Sequence, residues 1–389
     1  MSGNSKLRGV LILGGSYGAL AVARSVGRHG IAAAYLGERY SVAHSSRYIG
    51  HASPWESSNE PDPLEKLLGF ADEHQLDGWL LLPCADFEVQ FIAKNHARLA
   101  ERFQLVTMDW SALEPLNDKS ALYRLAGTIG IGHPQVYEAG IPPADIAFPV
   151  VLKPISTEAP NPLTRAKGWR AENATDFAMK LARAESYVGR RGLVVQQLIP
   201  GSGDAQLSYA ALWDNGCEVC SVTARRSRQY PLGFGTSPFV ESVEIPDVSN
   251  EARRLLGAVG YHGLVEVEFK RDPRDGSLKL LDVNTRVWAW IGLGEAMGVD
   301  FPYLAALVAA GEPVPALHPP RYGPVWRRPI PNALSVLHSV LQDGQPGYAA
   351  GRSVFARAHS AVFCWDDLRP VFAELPTQIM RAVGAFLSR

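Results

Sequence analysis

The first hundred positions alternate between short apolar runs and stretches of helical spacing. GVLIL at 9–13 reads as a strand, a helix follows over 19–29, and IAAAYL at 31–36 is the next strand. A helical pattern covers 64–75, GWLLLPC at 78–84 is a strand, and 86–102 is a helix. Strands and helices alternating in this way form a small parallel sheet covered on both faces. The texture changes at Leu116. Helices at 120–130 and 174–188 accompany the strands FPVVLKP (148–154) and GLVVQQLI (192–199). From 205 to 287 the pattern is antiparallel, with AQLSYAALW, CEVCSVTAR, GLVEVEFKR and SLKLLDVN as strands between turn residues. Helices are expected near Trp288 and Tyr303, and PTQIMRAVGAFL near the end is an amphipathic helix. These shifts divide the chain at 1–115, 116–195, 196–312 and 313–389.

Composition narrows the partners. The 389 residues carry 38 basic against 39 acidic side chains, which gives no electrostatic reason for a nucleic-acid or membrane-surface partner. No apolar stretch reaches bilayer length, and the N-terminus lacks a signal-peptide cleavage pattern. Four cysteines in so long a chain point to a reducing, cytoplasmic compartment. Cys217 and Cys220 form a CxxC, but on a strand their thiols would face opposite ways, so both read as packing residues.

The stretch LILGGSYGAL suggests two active-site motifs. Gly14-Gly15-Ser16-Tyr17-Gly18 matches the G-x-S-x-G nucleophile elbow, yet it follows the first strand, whereas an elbow needs several strands before it. The dinucleotide fingerprint would place its first glycine on Leu13, although Glu38 stands about where a ribose-binding acid belongs. The expectation is a close-packed strand-to-helix turn. It borders a substrate cleft at most, and Ser16 is not a nucleophile.

Stronger chemistry lies in GLVEVEFKRDPRDGSLKLLDVNTRVW, residues 263–288. Alternation puts Glu266 and Glu268 on one face, with Val265, Val267 and Phe269 on the other. A hairpin centred on Asp275 sets Glu268 opposite Asp282 and Glu266 opposite Asn284, with Arg286 on the same face. Leu281, Val283 and Thr285 should then face away. Opposed carboxylates destabilise a sheet unless a cation neutralises them. Magnesium suits hard oxygens from one or two carboxylates and completes its shell with phosphate and water. Upstream, Lys119 and Lys153 are candidates for a polyphosphate, and Gln196-Gln197 ends a strand where an adenine could be read.

In this order the segments resemble the ATP-grasp superfamily, particularly its carboxylate–amine and amino-acid ligases of the D-aspartate ligase type. LGGSYGALAVARSVGRHG resembles the N-terminal pre-ATP-grasp domain, FPVVLKP the phosphate-lysine strand and VVQQLIPGSGD the hinge. LDVNTR is similar to the metal motif E-x-N-x-R, and ARRSRQYPLGFGTSPFVESVE to the arginine-containing substrate segment. The resemblance implies an α/β and α+β ATP-grasp fold with a Rossmann-like N-terminal domain. It implies ATP and Mg2+ as cofactors, with Mn2+ as an alternative metal, and small carboxylate and amine substrates. Lys119, Lys153 and Lys167 would hold phosphates; Gln196, Gln197 and the Leu198 backbone would contact adenine, and Asp204 the ribose. Glu268, Asp282 and Asn284 would bind metal. Arg286 would steady developing negative charge, and Arg225 and Arg228 would engage the γ-phosphate or a substrate carboxylate. The family's alternatives are a carboxylase acting on a small amine or cofactor, or an ATP-binding protein without catalysis; a homodimer is compatible with either. The chain departs from the family in its uncharged hinge glutamines, in an aspartate at 282, and in a covering loop with one glycine, Gly168. That loop is expected to use Ser156, Thr157, Arg165 and Lys167 instead.

Overall fold

The computed structural model describes residues 7–55, 60–137, 143–155, 161–201, 205–227, 236–343 and 358–376. Five strands open the chain: β1 (Gly9–Leu13), β2 (Ala32–Gly37), β3 (Ile49–Pro54), β4 (Leu80–Pro83) and β5 (Gln104–Leu105). They pair in parallel in the order β3-β2-β1-β4-β5, as the strand–helix alternation requires. The helix expected over 86–102 is instead two, Asp86–Lys94 and His96–Ala100, broken at Asn95.

The glycine turn is close-packed. Gly14 and Gly15 have φ of 66° and 73°, a region that L side chains rarely adopt. A Cβ on Gly15 would lie 2.5 Å from the Cβ of Cys84, and one on Gly18 would lie 2.7 Å from the Trp288 carbonyl oxygen. The helix Tyr17–Arg28 can therefore sit against the segment leaving the metal-motif hairpin.

A second sheet holds β6 (Val136–Tyr137), β7 (Val150–Pro154), β8 (Trp169–Ala171) and β9 (Leu193–Gln197), in the order β6-β9-β7-β8. Val150, Leu152 and Val195 pack with Phe177 of the helix Ala174–Val188. Alternation turns Val151, Lys153, Val194 and Gln196 to the other side, and the register sets Gln196 beside Val151 and Lys153 beside Val194.

The third sheet has seven strands: β10 (Gln206–Asp214), β11 (Cys217–Arg225), β12 (Phe239–Ser242), β13 (Gly263–Arg271), β14 (Leu278–Asn284), β15 (Val325–Arg327) and β16 (His359–Ser360). One face carries Leu207, Tyr209, Val265, Val267, Phe269 and Val283, packed with Leu255 and Leu256 of the helix Pro246–Ala258. The other face is apolar at Ala210, Leu212, Val222 and Ala224, which join Leu20, Ala23 and Trp288 in a core shared with the first domain. Cys220 is buried in this core and Cys217 is exposed, and both thiols are free.

Three expectations are corrected here. The register slips between Glu268 and Phe269, so Leu280 rather than Leu281 pairs with Phe269 and enters the core. Residues 289–292 form turns, so the helix expected near Trp288 begins later, at Leu293–Met297, while the one expected near Tyr303 is found at Phe301–Ala309. The division at 313 cuts a sheet, because β15 pairs with β12 on the far side of it. Asp367 also ties the tail to the first domain, through Arg24 at 3.0 Å and Ser46 at 2.7 Å. The amphipathic segment PTQIMRAVGAFL lies almost wholly outside the described residues, which are helical over 369–376.

Candidate active site

The site begins with the hairpin register. Glu268 pairs with Asp282 and Glu266 with Asn284. Ser208 on β10 pairs with Glu268, so its hydroxyl lies on the same face and donates to Glu266 Oε1 at 2.9 Å. Trp290 Nε1 donates to the same oxygen at 2.8 Å, and Asn284 Nδ2 reaches Glu266 Oε2 at 3.2 Å and Glu268 Oε1 at 2.9 Å. Burial and the neighbouring Glu268 raise the pKa of Glu266 above the ordinary carboxylate range.

Cations meet the other carboxylates. Asp118 caps the helix Lys119–Thr128 by accepting the Ala121 N–H at 2.7 Å, which fixes Lys119 in the first turn. Lys119 Nζ then lies 2.7 Å from Asp282 Oδ2. Burial opposes ionisation of Asp282, but the Lys119 ammonium, Lys153 and the Val283 N–H together hold the carboxyl below its usual range. One turn along, Tyr123 lies 3.2 Å from Gln196 Oε1 and 3.1 Å from the Leu281 carbonyl, bridging the second sheet and the hairpin. Arg226 pairs with Glu268 and donates through Nε to Ser237 at 3.2 Å. Arg286 Nε donates to Asp86 Oδ1 at 2.5 Å and its Nη2 donates to Asn284 Oδ1 at 3.2 Å. The Val287 N–H, 3.1 Å from the Pro83 carbonyl, holds this exit strand against the end of β4.

Across from the hairpin, Lys153 is half-buried on β7. Burial and the nearby Lys119 pull its pKa down to about 8. Gln196 shares its face and is 2% exposed. The Leu198 N–H is engaged by the Pro149 carbonyl at 3.1 Å, so its own carbonyl is what the hinge can present. Lys167 follows the helix Pro162–Ala166 in a left-handed conformation, φ 61°, at the edge of the covering loop.

The structure thus brings together Lys119, Lys153, Glu268, Asp282, Asn284 and Arg286, with Gln196, Leu198 and Lys167 around them; Gln197 alternates to the opposite face of β9 from Gln196 and lies against Arg274. Asp204, Arg228, Ser156 and Thr157 lie outside the described residues. Arg225 is corrected: it pairs with Leu207, on the face of the sheet that carries the apolar core rather than the carboxylates. The arginine on the carboxylate face is Arg226. One further residue escaped sequence reasoning, Asp86 as a partner of Arg286. Asp86 carried one signal, its place just beyond the carboxyl end of a parallel strand, where α/β sheets bind ligands.

The donor set fits a hard divalent cation. Two opposed carboxylates and a carboxamide face a cleft in which Lys119 and Arg226 already supply positive charge to them. Among the described residues no group of three or more His, Cys, Asp and Glu side chains forms a metal cage. That leaves ligand positions to substrate oxygens and water.

No family model matches the chain. A D-aspartate ligase of Enterococcus faecium is 23% identical over 299 residues, covering 71% of this chain and 70% of that protein. A biotin carboxylase of Campylobacter jejuni, solved with a β,γ-ATP ligand, superposes with a TM-score of 0.66 at 16% identity, over 83% of this chain and 75% of its own. An L-amino acid ligase of Bacillus licheniformis gives a TM-score of 0.61 at 16% identity, over 81% and 78%. No helix among the described residues is long and apolar enough to cross a membrane. By its three sheets, their order and these likenesses, the chain has the ATP-grasp fold and is similar to that superfamily's carboxylate–amine ligases.

Proposed function

We propose that the protein is an ATP-dependent ligase that joins a small carboxylate, such as an amino acid, to an amine through an acylphosphate. The observation that carries this reading is the charged half of the large sheet's inner face. There Glu268, Asp282 and Asn284 stand among Lys119, Arg226 and Arg286, opposite Lys153.

Glu268 and Asp282, with Asn284 beside them, would hold magnesium, which would offset charge on the β- and γ-phosphates. Lys153 and Lys119 meet the phosphates from the second sheet and the capped helix, and Lys167 approaches from the covering loop. Gln196 and the Leu198 carbonyl would border the base, and Asp204, outside the described residues, would contact the ribose. The substrate carboxylate attacks the γ-phosphorus and ADP leaves. The amine then attacks the acyl carbon, the bond to the phosphate oxygen breaks, and phosphate departs with one proton while a second goes to solvent. Arg286 would steady the tetrahedral oxyanion, an interaction whose loss costs about 10²–10³ in rate in other enzymes. Arg226, and Arg228 beyond the described residues, supply positive charge for an anionic substrate.

The test is a hydroxylamine trap with Mg-ATP across a panel of carboxylic acids. A hydroxamate formed with one acid, matched by ADP release, supports the ligase and names the acid. ADP release that needs bicarbonate and no other acid replaces it with a carboxylase. ATP binding without turnover on any acid replaces it with a non-catalytic nucleotide-binding protein.

A further inference from the structure

A ligase of this kind must also hold an amine, which near neutral pH arrives as an ammonium ion. The carboxylates of the hairpin are committed elsewhere. Glu268 and Asp282 face the metal position and are paired with Arg226 and Lys119. Glu266 is 4% exposed and saturated by Ser208, Trp290 and Asn284. Asp86 differs from all three. It comes from the first domain, opening the helix Asp86–Lys94, and its side chain is 58% exposed. Only Oδ1 meets Arg286, and Oδ2 accepts no hydrogen bond among the described residues. Arg286 holds the carboxylate ionised, with burial opposing it less strongly.

We infer that Asp86 binds the ammonium group of the incoming amine, with Oδ2 as the acceptor while Oδ1 stays on Arg286. This rests on the ligase reading above. The ion pair ties the amine's anchor to the guanidinium that steadies the oxyanion. Before attack the bound ammonium gives one proton to solvent, and the free amine then reaches the acyl carbon. The simpler alternative is that Asp86 only orients Arg286, and the two roles separate by half-reaction. Orientation of Arg286 serves acylphosphate formation and amide formation alike, whereas an ammonium anchor serves the second alone. Hydroxylamine is uncharged near neutrality, so its capture of the acylphosphate needs no such anchor.

The experiment compares Asp86→Asn with wild type, using the acid that yields a hydroxamate and the standard L- and D-amino acids as amines. The expected result is a rise of about tenfold or more in KM for the amine, with amide formation falling at least tenfold further than hydroxamate formation. Asp86→Glu, which keeps the charge, should recover part of the amine affinity. Equal losses in the two half-reactions, or an unchanged amine KM, overturn the inference and leave the ligase intact. A wild-type protein that yields no hydroxamate with any acid overturns the ligase reading itself, and the ammonium subsite with it.

Discussion

On the large-sheet side of the cleft, charges meet as pairs: Lys119 with Asp282, Arg226 with Glu268, and Arg286 with Asp86. On the small-sheet side stands Lys153, half-buried and without an ion-pair partner among the described residues. Both sides would face the same anionic nucleotide, but they hold charge at different cost. The paired side keeps its ions in place through mutual attraction, so a metal and phosphates enter by exchanging partners in a network already ordered. The small-sheet side holds an ammonium that burial disfavours, and a bound phosphate relieves that penalty directly. Geometry is stored on one side and affinity for phosphate on the other.

The largest effect should come from taking charge out of the paired side. Glu268→Gln combined with Asp282→Asn removes both hard ligands while keeping side-chain shape. Substrate-dependent ADP formation should fall by at least about 10³-fold with the circular dichroism spectrum unchanged. Chelation of divalent metal should reproduce the loss in the wild type. A well-folded double variant with wild-type turnover would mean that this face does not hold the metal.

Lys153 gives the next effect. Lys153→Met should weaken ATP binding by about 10²-fold, read by calorimetry with magnesium present. Its lowered pKa also sets a sign. The unfolded lysine titrates near 10.4 and the folded one at about 8. Between those values the unfolded chain carries the proton and the native one does not, so the contribution of Lys153 to the stability of the nucleotide-free protein should rise with pH across this window, seen as the difference between wild type and Lys153→Met. The slope should reach at most about 1.4 kcal/mol per pH unit. ATP affinity should move the opposite way, falling as pH rises through about 8, because the neutral amine no longer meets phosphate. Lys153→Met should flatten both trends.

Much of this was legible in the chain, and the reasons differ by element. The Glu268–Asp282 and Glu266–Asn284 pairs followed from a period of two and a turn at Asp275, both local properties. The bulge at Leu281 was not legible, since two adjacent leucines serve an alternating pattern equally well. Asp86 and Arg286 are 200 residues apart, and their meeting depends on how the first domain docks. That docking has its trace in Gly18, which reads as a turn glycine but is where the helix meets the Trp288 carbonyl. Gly18→Ala should therefore cost about 1–3 kcal/mol, seen as a lowered Tm, with a drop in turnover as Arg286 shifts.

The smallest effect should separate two neighbouring arginines. Sequence reasoning favoured Arg225, but in a strand the choice between adjacent residues is a choice of face, and a shift of one position reverses it. The face is set by the pairing with β10, where Arg225 stands opposite Leu207 and the Arg226 N–H meets the Gln206 carbonyl at 2.9 Å. Arg226→Ala leaves Glu268 without its guanidinium in a half-buried site, and should cut kcat/KM by about 10–100-fold. Arg225→Ala, acting behind the sheet, should change it by less than about threefold. Equal losses from both would mean that the end of β11 turns during catalysis to bring Arg225 to the carboxylate side. A loss confined to Arg225 would place the substrate's anion behind the sheet and separate it from the paired charges altogether.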